Sequence, residues 1–214
     1  MDAKTVARDA RKLAEWLAER SIAGISPLEG ADRLAERYRI DASYRSTDAR
    51  VDALIRWETT KNFTAGFVTG LGGVLTLPIS IPGSVAASWL IQARMAAAIA
   101  ALYGHDPRSD RVRTVVLLAL VGDASASKLL KGAGIALGRQ AAIRALERVG
   151  GRTLTGINRE VGARLIATGG PKGASRLVPI AGGLVGGAFD AVSCQVVGRT
   201  AKRMFRTGDD PSGR

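Results

Sequence analysis

At 214 residues the chain is long enough for one domain with a real core, and its 31 Lys and Arg against 19 Asp and Glu leave a net charge of +12. A single cysteine, Cys194, excludes an internal disulfide and fits a reducing compartment. The start, MDAKTVARDARKLAEWL, carries charges throughout and lacks the apolar stretch of a secretory signal.

Residues 2–20 show a helical pattern with Val6, Leu13, Trp16 and Leu17 near one face, ended by Gly24. Ser26-Pro27 reads as a cap followed by proline at the first helical position, which predicts a second helix from Pro27 to about Arg39. Thr47 or Asp48 caps a third helix with Val51, Leu54, Ile55 and Trp57. No run alternates with period two, so no strand is expected.

The stretch Phe63–Ala93 contains no Asp, Glu, Lys or Arg. Pro78 and Pro82 divide it into two apolar helical arms, about Thr64–Leu77 and Gly83–Tyr103. Gly66, Gly70, Gly72 and Gly73 on the first arm are small residues of the kind that let helices approach closely. Gly104 and Pro107 stop the second arm. Helices follow over about Ser109–Val121, Ala124–Ala136, Gln140–Val149 and Thr153–Ala167. The last segment repeats the small-residue theme at Gly182, Gly183, Gly186 and Gly187, then turns basic at Arg199, Lys202, Arg203 and Arg206.

The expected architecture is therefore all-α: one helical domain over residues 1–206, built around the glycine-rich hairpin and the glycine-rich C-terminal helix. Residues 1–61 supply amphipathic helices, 62–206 an apolar and basic core, and 207–214 a polar tail.

Charge is unevenly shared. Up to Lys61 there are 12 basic and 11 acidic residues, and from Asn62 onward 19 and 8. A basic excess beside apolar helices suits an anionic lipid surface. Arg199, Lys202, Arg203 and Arg206 are the candidate anionic-lipid contacts. Nucleic acid is the weaker partner, because aromatic residues are not interleaved with the basic ones. The further basic residues of 128–176 read first as a solvated outer face.

Chemistry is sparse. The only histidine, His105, sits between Gly104 and Asp106 at a helix end and reads first as part of a cap and turn. Its functional alternative is a polar cluster of His105, Asp106, Asp123 and Asp190 for proton transfer or metal binding. Cys194 in an apolar helix reads as a small buried hydrophobe. No G-x-x-x-x-G-K-[ST] loop is present. No metal, cofactor or catalytic residue is assigned.

Several blocks together resemble the EcsC family of bacterial proteins. They are the glycine-rich run Gly66–Gly73, the Leu-Pro and Ile-Pro pair within Leu77–Pro82, and Ala98–Asp106. Leu118–Gly122 and Val178–Asp190 complete the set. The resemblance implies a helical bacterial protein and brings no catalytic residue or cofactor with it. The functional expectation is a non-enzymatic, membrane-peripheral helical protein of the cytoplasm, at the inner face of the cell membrane. The alternatives are a hydrolase-like enzyme acting on a lipid or other apolar substrate, favoured by a pocket at the polar cluster, and a soluble helical interaction protein.

Overall fold

The structure is a computed structural model that describes residues 3–63, 83–135, 142–169 and 182–207. Among these residues there are nine helices and one two-stranded ladder. The all-α expectation holds.

Helix α1 (Ala3–Ala23) ends at Gly24, whose φ of +83° is accessible to glycine at little cost. The chain then makes a miniature antiparallel hairpin, β1 (Gly24–Ile25) and β2 (Leu28–Glu29), around a cis Ser26-Pro27 peptide. This corrects two expectations. Pro27 occupies a turn rather than a first helical position, and α2 (Ala31–Arg39) begins four residues later, after Gly30. The ladder spans two residues per strand, too short for the alternation that marks a strand in sequence.

Helix α3 (Thr47–Phe63) is capped one residue earlier than expected, by Ser46, whose hydroxyl accepts from the Ala49 N–H at 3.1 Å. Val51, Leu54 and Ile55 are buried, whereas Trp57 is 55% exposed. Leu54 and Glu58, four apart, define the inward line of this turn, and Trp57 lies about 100° round the helix from Glu58.

Helix α4 (Gly83–Leu102) is the hub. It packs against α1, α2 and α3, and also against α5 (Asp110–Leu120) and α9 (Gly182–Phe205). Every residue from Leu90 to Ala101 is buried. Its window Val85–Leu102, of mean hydropathy 1.5, is long and apolar enough to cross a membrane, yet 72% of it is buried inside the bundle. The first predicted arm, with Gly66, Gly70, Gly72 and Gly73, lies outside the described residues.

Ser109 caps α5, accepting from the Val112 N–H at 3.4 Å. Helix α6 runs Gly122–Gly132, starting earlier than expected, and α7 is a single turn, Ala142–Ala145. Helix α8 (Gly151–Gly169) lies against α1. At that crossing a Cβ on Gly162 would stand 2.0 Å from the Ala10 carbonyl oxygen, so only glycine fits. On α9 a Cβ at Gly198 would crowd side chains rather than backbone, meeting Ile55 Cγ1 at 2.8 Å and Met95 Cε at 3.2 Å. Gly182, Gly183, Gly186 and Gly187 fall in the first turns of α9, and their packing lies outside what the structure describes.

Candidate functional site

Two polar arrangements and one outward surface follow from this packing. The first is in the core. Glu58 on α3 and Arg94 on α4 form an ion pair with side chains 1% and 4% exposed. Arg94 Nη1 also donates to the Glu29 carbonyl at 3.4 Å, tying the hairpin to the hub. Burial and the nearby Glu58 carboxylate push the Tyr38 phenol up to about 12. Buried charges require such partners, so this pair specifies how α3, α4 and β2 fit together. The sequence shows Arg94 and Gln92 as breaks in an apolar run and does not show that both point inward. Gln92 donates to Ser88 Oγ at 3.1 Å and to Ser193 Oγ at 3.3 Å, joining α4 to α9.

The second arrangement lies where the C-terminal end of α9 meets α3 and α4. Tyr103, just past α4, donates to Asp48 Oδ1 at 2.6 Å. Asp48 Oδ2 is also 3.0 Å from Arg206 Nη2, and Lys202 Nζ is 2.7 Å from Asp52 Oδ1. Arg203 pairs with Asp123. His105 Nε2 lies 2.9 Å from the Phe205 carbonyl oxygen. A carbonyl only accepts, so this nitrogen carries the proton and donates. The His105 and Phe205 rings are tilted against one another at 5.6 Å.

Most of the sequence-selected residues meet at this end of the bundle, but not as one reactive group. His105 holds the α9 terminus, Asp123 holds Arg203, and Asp106 accepts from the Arg108 backbone N–H at 2.9 Å. No bond joins these three to one another among the described residues. The Asp190 side chain lies outside the described residues. Among those described, no three His, Cys, Asp or Glu side chains cluster closely enough to hold a metal. Cys194 is fully buried beside Met95. Of the four candidate lipid contacts, Lys202, Arg203 and Arg206 are in ion pairs, and Arg199 stands exposed without one among the described residues.

The outward surface is a stripe on α9. Val192 is 62% exposed and Val196 49%, while Cys194, Val197, Ala201, Met204 and Phe205 fill the inward face. Positions 192, 196, 199 and 203 recur at helical spacing, so two bare valines continue directly into Arg199 and Arg203. The sequence carries the signal for this stripe only in combination with knowledge of which face docks.

A family model describing the EcsC protein family matches residues 8–207. The chain belongs to the EcsC protein family. The match runs from the first turns of α1 to Thr207, one residue past Arg206, so the EcsC assignment covers both polar arrangements and the α9 stripe. No curated protein and no solved structure matches the chain.

Proposed function

We propose that this EcsC-family protein is a non-enzymatic, membrane-peripheral helical protein of a bacterial cytoplasm that rests on the anionic inner face of the cell membrane. The observation that carries the reading is the α9 stripe: Val192 and Val196 exposed to water, followed one turn on by the exposed cation Arg199, which has no ion pair among the described residues. Apolar side chains at headgroup depth with a long basic side chain beside them suit an interface between oil and anionic phosphate. The basic excess beyond Asn62 adds attraction of about 1 kcal/mol for each residue near the surface. The burial of α4 argues for resting on the bilayer rather than threading it through this helix.

The test is co-sedimentation with vesicles of phosphatidylcholine, with and without phosphatidylglycerol. Anionic vesicles should bind the protein more tightly, and salt should weaken that binding only in part. The Val192→Asn/Val196→Asn variant should bind about tenfold or more weakly, since each valine contributes on the order of 1 kcal/mol of apolar transfer. Arg199→Gln should lose several-fold. Indifference of the wild-type protein to anionic vesicles would remove the basis for the reading.

A further inference from the structure

Helices α1, α5 and α8 do not close completely on one another. A cleft of about 300 Å³ opens between them, walled by Ala14, Ala18, Leu117 and Leu154. Two of its lining residues carry polar atoms that are buried and have no hydrogen-bond partner: Arg113 Nε, a donor, and Asn158 Oδ1, an acceptor. Leaving such atoms unpaired is unfavourable, which is why most buried polar groups have partners. Both side chains, one a donor and one an acceptor, line this one cavity. At the rim, Arg11 is 3.7 Å from Glu15, while Glu19 and Asp110 have no ion pair among the described residues.

We propose that this cleft binds a small zwitterion carrying an oxyanion and an ammonium group. The oxyanion accepts from Arg113, whose guanidinium has no ion pair among the described residues. The ammonium donates to Asn158 Oδ1 and faces the carboxylates of Glu19 and Asp110. The volume holds about ten water-sized groups, which suits an amino-phosphate and excludes a dinucleotide. The polar cluster around His105 contributes nothing to this cleft, and the site is independent of whether the α9 stripe meets a membrane.

The same chemistry exists as a free solute and as a lipid headgroup, so the experiment has two arms. In the first, calorimetry follows O-phosphoethanolamine, with inorganic phosphate and ethanolamine as its separate halves. The whole zwitterion should bind at least about tenfold more tightly than either half. Arg113→Gln should weaken it at least about tenfold and Asn158→Leu several-fold. Glu19→Gln/Asp110→Asn changes only exposed side chains and should also weaken it several-fold, which keeps the proposal testable if Arg113→Gln fails to fold. In the second arm, phosphatidylethanolamine is presented in otherwise phosphatidylcholine vesicles. Binding in both arms, lost in Arg113→Gln, identifies a headgroup site, and binding of the solute alone identifies a free ligand. No heat up to about 10 mM O-phosphoethanolamine, or equal affinity of the three variants and wild type, overturns the proposal and leaves a solvated cleft.

Discussion

Helices α4 and α9 begin from similar material and end in different places. Both are long and rich in small residues, and α9 gathers its basic residues near its C-terminal end. Helix α4 is enclosed on all sides from Leu90 to Ala101, and the one charge within it, Arg94, is neutralised inside the core by Glu58. Helix α9 buries one face and leaves Val192, Val196 and Arg199 to the outside. Composition alone therefore does not decide whether an apolar helix is a core element. The number of neighbours around it does, and that number is a property of the whole fold.

The sharpest way to break this contrast is to disturb the charge inside α4. Arg94→Met leaves the Glu58 carboxylate buried without its cation and should cost about 3–5 kcal/mol of stability in urea denaturation. Removing both charges in Arg94→Met/Glu58→Leu should restore most of that loss, because the desolvation cost of both ions disappears together. If the single variant is as stable as wild type, α4 is not the closed core helix described above.

A smaller effect is expected where α9 docks. Gly198→Leu forces a side chain against Ile55 and Met95 and should cost about 1–3 kcal/mol. By contrast Val192→Asn/Val196→Asn, on the opposite face of the same helix, should change stability by no more than about 0.5 kcal/mol. Equal losses in the two variants would mean that α9 is enclosed like α4.

The contrast also explains what was legible in the sequence. The boundaries of α4 were readable because Pro82, Gly104 and Pro107 act locally on the backbone. The start of α5 was readable to within a residue, with Ser109 taken as the first helical position where it proves to be the cap. The inward direction of Gln92 and Arg94 was not, because an uncharged helix has no polar face to orient it, and their partners come from α9, α3 and β2. Gly162 and Gly198 do not stand out in sequence beside the glycine-rich runs. Each is a lone glycine in an ordinary helix, and what crowds it, the Ala10 backbone at Gly162 and the Ile55 and Met95 side chains at Gly198, is far away in sequence. Arg113 and Asn158 were invisible as a pair, since α5 and α8 meet only in the folded chain. The basic quartet at 199–206 was found as charge, but Asp48, Asp52 and Asp123 as its partners were not.

The smallest loss expected from breaking a contact concerns the clasp where the two helices meet. Tyr103 follows α4 and donates to Asp48, which also holds Arg206 beyond the end of α9. Tyr103→Phe removes this donor and should cost about 1 kcal/mol near neutral pH. Burial, and then the hydrogen bond to Asp48, raise the Tyr103 phenol well above its ordinary value. The folded protein thus holds this proton more tightly than the unfolded chain does. The resulting stability is complete below the unfolded value of about 10 and is lost progressively as pH rises above it toward the folded value. Urea midpoints should consequently fall more between pH 8 and pH 11 for the wild-type protein than for Tyr103→Phe. An identical fall in both would assign the alkaline loss to other groups, Tyr38 among them, and would show that the α4–α9 clasp does not depend on the Tyr103 proton.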